Sequence, residues 1–193
     1  MSRSTPTHRK VRTTLLAMAA AAGVAAAVPA VAAQASTAST ASCAVTWGSL
    51  VKSRPGMGTA PLTNVRSGRH TCYDRLVLDV AGATTGYQVS YVDQVRMDGS
   101  GDVVPLRGGA KLQVILRSPA YDDAGNPTYT PANRRELVNV TGYSTFRQVA
   151  WAGSFEGQTT LGLGVRARLP MNVFVLAGPG TGSRLVIDVA HHW

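Results

Sequence analysis

From Cys43 onward the chain alternates. β-Branched and aromatic residues recur at every second position, in short runs broken by Gly, Pro, Asp and Asn. No stretch there carries a helical stripe longer than two turns. A period of two places successive side chains on opposite faces of an extended strand. The pattern therefore excludes a helical bundle and predicts an all-β fold. Strands are expected over 76–80, 87–95, 111–117, 137–140, 146–155, 159–169, 173–176 and 184–190. Turn chemistry separates them: Asp98-Gly99-Ser100-Gly101, Gly108-Gly109, Asp123-Ala124-Gly125-Asn126-Pro127 and Gly178-Pro179-Gly180. So many short strands predict an antiparallel two-sheet β-sandwich, with a partly closed β-barrel as the alternative. The expected core is Leu76, Leu78, Val80, Leu112, Val114, Leu116, Leu161, Leu163, Val165, Leu185, Ile187 and Val189.

Two of these strands read alike. Arg75-Leu76-Val77-Leu78-Asp79-Val80 and Arg184-Leu185-Val186-Ile187-Asp188-Val189 match position for position. Arg and Asp four residues apart on a strand share a face but stand about 13 Å apart, too far to pair with each other. Each is expected to find its partner on a neighbouring strand.

The segment before Cys43 has a different character. Arg9, Lys10 and Arg12 precede an apolar run over 15–28 (LLAMAAAAGVAAAV), which Pro29 ends. That length suits a secretory leader and is short for a spanning helix. Ala33-Gln34-Ala35 offers small residues for cleavage before Ser36, with cleavage after Ala33 as the rival site. Residues 1–35 are thus expected to be a signal peptide, 36–42 (STASTAS) a disordered linker, and 43–193 the folded domain. No stable membrane insertion is expected after cleavage, and the protein is expected to be secreted, in association with the cell wall or free of it. An exported chain can oxidise its thiols. Cys43 and Cys72 are its only cysteines, and an even pair predicts one disulfide.

Several pieces of the sequence carry a family resemblance. They are Trp47-Gly48-Ser49-Leu50, the run His70-Thr71-Cys72-Tyr73-Asp74-Arg75-Leu76-Val77-Leu78-Asp79, Tyr91-Val92-Asp93, the run from Val149 through Trp151 to Gly157, and the ending from Arg184 to Trp193. Over 43–193 the chain resembles the AMIN-like domain of secreted actinobacterial proteins and lipoproteins, related to AMIN domains. The resemblance implies a small two-sheet β-sandwich that localises proteins by binding peptidoglycan, with no catalysis of its own. AMIN domains sit beside catalytic or secretin domains; this sequence shows none after Trp193, so it is expected to act alone or through a partner.

The residues give little support for catalysis. Glu156, beside Phe155 and close to Trp151, is the best single acid candidate, but Phe155-Glu156-Gly157-Gln158 also reads as a hairpin turn, and no second carboxylate is assigned beside it. His70, His191 and His192 make no metal-ligand spacing. Asp98-x-Ser100-x-Asp102 begins like a calcium loop, yet Val103 and Gly109 stand where that loop needs Gly and Glu. Ser154 lies outside a nucleophile elbow. The expectation is a non-enzyme with no catalytic residues, cofactor or metal.

Lys and Arg exceed Asp and Glu by 19 to 10, a net +9 that falls to +5 once Arg3, Arg9, Lys10 and Arg12 are set aside with the leader. That modest excess, with no recognised binding motif, argues against nucleic acid. Arg166 and Arg168 alternate with Val165, Ala167 and Leu169 and are expected on the outer face of one strand; Arg147, Arg75 and Arg184 occupy similar polar positions. Arginine forks recognise carboxylates and phosphates. Trp151, Tyr91 or Tyr73 could offer a flat face to a sugar ring. The segment 118–133 (SPAYDDAGNPTYTPAN), with Tyr121 and Tyr129, is a second contact region. The expected ligand-binding set is Arg166, Arg168, Arg147, Trp151, Glu156 and Tyr121. Three functions follow: a cell-envelope binding module for peptidoglycan or another anionic wall polymer; a secreted accessory or inhibitor of an envelope protein; and a small wall hydrolase using Glu156.

Overall fold

The computed structural model describes residues 43–83 and 86–193. The expected leader and linker lie outside the described residues. Within them the chain is all-β: β1 (Lys52–Arg54), β2 (Leu62–Arg69), β3 (Tyr73–Val80), β4 (Tyr87–Val92), β5 (Val95–Arg96), β6 (Val103–Val104), β7 (Ala110–Leu116), β8 (Phe146–Phe155), β9 (Gln158–Val165), β10 (Met171–Ala177) and β11 (Ser183–Ala190). Every strand pairing is antiparallel. One sheet has the order β1-β4-β7-β9-β8, the other β10-β11-β3-β2, and β5-β6 forms a small hairpin. The two larger sheets pack as a sandwich, not a closed barrel.

Alternation decides what lies between the sheets. All twelve expected core residues are buried in one cluster, each at 3% exposure or less, joined by Leu62, Phe146 and Met171 among others. A second, smaller cluster lies on the outside of the five-stranded sheet. Here the β5–β6 hairpin folds over β8 and β9, burying Val95 and Val104 against Ala150 and Ala152. Gly162 and Gly164 make this possible. A Cβ on Gly162 would sit 2.7 Å from the Leu106 side chain, and one on Gly164 would sit 2.0 Å from the Arg107 carbonyl. Strand β9 therefore turns Leu161, Leu163 and Val165 inward and bare backbone outward.

The two look-alike strands are adjacent. β11 pairs with β3, placing Leu185 opposite Leu78 and Ile187 opposite Leu76 on the core side. On the other side Asp188 stands opposite Arg75, and Arg184 opposite Asp79. Arg75 grips Asp188 with two bonds, at 2.6 and 2.7 Å, while Arg66 on β2 takes Asp79 at 2.8 and 2.9 Å. Both acids thus pair across strands, and both guanidiniums are held more firmly protonated by their carboxylates.

Three expectations about strands need correction. Residues 137–140 are not a strand. Their neighbourhood runs along the edge of β8, where Trp151 N–H donates to the Arg134 carbonyl at 2.7 Å and Leu137 N–H to the Val149 carbonyl at 2.8 Å. The apolar run is there to cover an edge, not to extend a ladder. Strand β9 ends at Val165, so Arg166 and Arg168 lie in the bend that follows and not on a strand face. The span 87–95 divides between β4 and β5, because the chain leaves its sheet at Asp93-Gln94 to begin the covering hairpin. Strands β1, β2 and β6 are also present. β2 is an edge strand with a bulge between Leu62 and Asn64, and its polar residues (LTNVRSGR) hide the alternation.

Candidate binding groove

Strand β8 is the longest in the fold, and its second half forms one wall of a groove of about 420 Å³. The opposite wall comes from the 118–133 segment. That segment is anchored along its length. Ala120 N–H donates to the Ser154 hydroxyl at 2.9 Å, and Thr128 Oγ1 donates to the Leu62 carbonyl at 2.7 Å. At its tip Asp122 accepts the N–H groups of Ala124 and Asn126 and the Asn126 side-chain amide, and the Asn126 side chain above all holds its carboxyl below the usual range. Tyr121 ties the tip to the turn that follows β8: its hydroxyl accepts the Gly157 N–H at 2.9 Å.

Between these walls lie Met97, Tyr121, Tyr129, Trp151 and Phe155, with Asp98 and Arg134 as charged groups. The rings of Tyr129 and Trp151 are 5.7 Å apart and tilted. Phe155 is half exposed, at 51%. Strand β8 slips register between Trp151 and Ser154, and Gly153 adopts φ 116° in that stretch. A Cβ at Gly153 would crowd Asp98 at 3.2 Å, so the glycine lets the Asp98 turn lie against the strand. Asp98 N–H then donates to the Ala152 carbonyl at 2.7 Å.

Asp98 is the unusual group. Its Oδ2 is buried without a hydrogen-bond partner among the described residues, and burial pushes its carboxyl above the ordinary range, the Thr160 side chain partly opposing. The folded state therefore holds this proton to a higher pH than the unfolded chain. The associated stability is complete below the unfolded pKa and is lost as the pH rises through the folded one. Asp98→Asn is expected to raise Tm at neutral pH and to leave it unchanged in acid, where both side chains are neutral. An equal shift at both pH values would show that charge is not the cause.

Glu156 occupies the apex of the β8–β9 hairpin. With φ 49° at Glu156 and 77° at Gly157, the two-residue connection has both central residues in the left-handed region, which matches the strand twist. The carboxylate is exposed at the groove's end. Trp151 and Tyr121 thus line one groove, while Glu156 stands in the turn next to its lining residue Phe155. The arginines do not join them. Arg147 donates to the carbonyls of Tyr143, Ser144 and Phe146. Arg166 donates to the His191 carbonyl. Arg168 bonds the Ser49 hydroxyl and carbonyl at 3.1 Å each and covers the Tyr91 ring at 5.1 Å. Tyr91 and Tyr73 are engaged in packing: Tyr91 exchanges hydrogen bonds with Leu169, and Tyr73 stacks with His70 and meets the edge of Trp47. Cys43 and Cys72 are joined by a disulfide, with Cα atoms 5.2 Å apart.

Phe155, Met97 and Asp98 are groove residues that alternation alone does not single out. Phe155 had a usable signal, since an aromatic flanking a two-residue hairpin turn has little core left to enter. Asp98 had none, because only the slip in β8 brings its turn to the groove.

The AMIN-like domain profile matches residues 60–191, well over half of the chain. The chain belongs to the AMIN-like domain family. No curated protein and no solved structure matches it. In this AMIN-like domain the match spans β2 through β11 and takes in the whole groove.

Proposed function

We propose that the chain is an exported, non-enzymatic binding module of the cell envelope, and that the groove docks the sugar backbone of a peptidoglycan-type polymer. The supporting observation is the aromatic lining formed by Trp151, Tyr129, Tyr121 and Phe155 around a single carboxyl, Asp98. Sugar rings present flat C–H faces that pack on aromatic side chains, and their hydroxyls and amides need a few placed polar partners. Asp98 and Arg134 supply those partners. Charge favours the neutral backbone over anionic groups here. Asp98, Asp102, Asp122, Asp123 and Glu156, five of the ten acids in the chain, lie in the turns that border the groove. Family membership and the disulfide fit an envelope location.

The test is retention on purified wall sacculi. Trp151→Ala and Phe155→Ala are each expected to weaken retention by about tenfold, the loss of roughly one buried aromatic contact. Phe155 is half exposed, so its variant keeps the fold even if the Trp151 variant does not. Retention should survive moderate salt, since the contact is not ionic. Unchanged retention in both variants overturns the groove as the sugar site. If the unaltered protein is not retained at all, the groove serves a protein partner instead.

A further inference from the structure

The opposite end of β8 carries a second feature. The short segment 142–145, just before the strand, is bonded by the guanidiniums of two arginines and by the backbone of a third. Arg69 at the end of β2 donates to the Gly142 carbonyl at 3.4 Å. Arg147 donates to the Tyr143 carbonyl at 3.1 Å and the Ser144 carbonyl at 3.2 Å. The backbone N–H of Arg166 donates to the Thr145 carbonyl at 2.8 Å, and its guanidinium to the carbonyl of His191.

These arginines differ from three others in the fold. Arg66, Arg75 and Arg107 are each matched to a carboxylate, Asp79, Asp188 and Glu136. Among the described residues Arg69, Arg147 and Arg166 form no ion pair; their partners are neutral carbonyls. A carbonyl fixes a guanidinium in place without cancelling its charge. The two acids nearby are already engaged. Asp74 is fully buried and accepts the Thr145 and Phe146 N–H groups at 2.6 and 3.0 Å and His191 Nε2 at 3.2 Å. Glu136 is held by Arg107.

A concavity lies on each side of the segment. One, of about 550 Å³, is lined by Arg69, His70, Thr71, Ser144 and His191 with the Asp74 carboxylate in its wall. The other, of about 320 Å³, is lined by Arg107, Arg147, Asn139, Thr141 and Tyr143 with the paired Glu136. Apart from those two engaged carboxylates, the polar side chains offered are cationic, hydroxyl, amide or imidazole groups.

We infer that this arginine-rich end is a docking site for the phosphate groups of an anionic polymer, separate from the sugar groove. Guanidiniums set on different sides of one segment suit a repeating anion whose several oxygens can each take an N–H. A single fork takes a carboxylate as readily as a phosphate, so a carboxylate polymer of like charge is the comparison that matters. The groove beside the second half of β8 is lined by one carboxyl, Asp98, and is proposed for a neutral sugar chain, whereas the arginines at this end have no carboxylate partner among the described residues. The inference does not depend on what the groove holds.

The experiment titrates the secreted protein with inorganic polyphosphate of defined length and, in parallel, with poly-glutamate of similar charge. Arg69→Glu with Arg166→Glu, both exposed, is compared with Lys52→Glu and Arg54→Glu on β1, which makes the same change in net charge. The first pair is expected to weaken polyphosphate binding by at least about tenfold and the control pair by about twofold or less, with binding that falls as salt rises. Trp151→Ala should leave polyphosphate affinity unchanged while reducing sacculus retention, so failure here and failure of the groove are distinguishable. Equal losses from the two charge-matched pairs, or no loss from the first, overturn the site. Poly-glutamate binding as tightly as polyphosphate overturns the phosphate preference.

Discussion

Asp74→Ala should lower the unfolding free energy by about 3–5 kcal/mol, the cost of dismantling a buried, hydrogen-bonded carboxylate. Asp74 has no exposed surface. One of its oxygens accepts the backbone N–H groups of Thr145 and Phe146, and the other faces His191 Nε2. Alanine leaves two buried N–H donors without partners, each costing roughly 1–3 kcal/mol. It also frees the turn that delivers β8 to its sheet, next to Phe146, which is 1% exposed. Asp74→Asn keeps one carbonyl acceptor and should lose less than half as much. Urea unfolding reads both values. If alanine and asparagine cost the same, the two backbone bonds are not what Asp74 contributes.

The second large effect is expected at the disulfide. Cys43–Cys72 closes a loop with a sequence separation of 29, and loop entropy assigns such a cross-link about 3–4 kcal/mol. Cys72 lies in the turn between β2 and β3, so the bond fastens the segment before β1 to the end of the four-stranded sheet. That segment carries Trp47, whose ring meets Tyr73 at 5.5 Å. Cys43→Ser with Cys72→Ser should shift the urea midpoint by the corresponding amount and lower Tm by roughly 10 °C. A loss under about 1 kcal/mol would mean that the segment is held as well by its own packing as by the cross-link.

The fold was legible because its strands obey a simple rule. Leu161-Gly162-Leu163-Gly164-Val165 and the matched Arg–Asp strands announce both period and facing, and each expected core residue entered the core. Legibility failed where a segment lies at a sheet edge or runs on past its ladder. β2 is a polar edge, and 137–140 is apolar because it covers an edge. Arg166 and Arg168 show the same limit: alternation continues past Val165, but the ladder stops there. The groove was half visible. Trp151 and the tyrosines of 118–133 stand out by composition, while their meeting depends on a register slip and on turns that join residues far apart in sequence. The meeting of Arg69, Arg147 and Arg166 near the start of β8 could not be read at all without the topology.

The position of β11 has a consequence for how the domain comes into being. Strand β11 follows both of its neighbours in sequence and lies between β10 and β3, in the interior of its sheet. Until it arrives, β10 has no partner to lie against, and β3 has only the polar edge β2 beside it. A polypeptide delivered from its amino end, whether by a ribosome or through a membrane pore, cannot complete this half of the sandwich early. The four-stranded sheet can close only after Ser183–Ala190 has emerged.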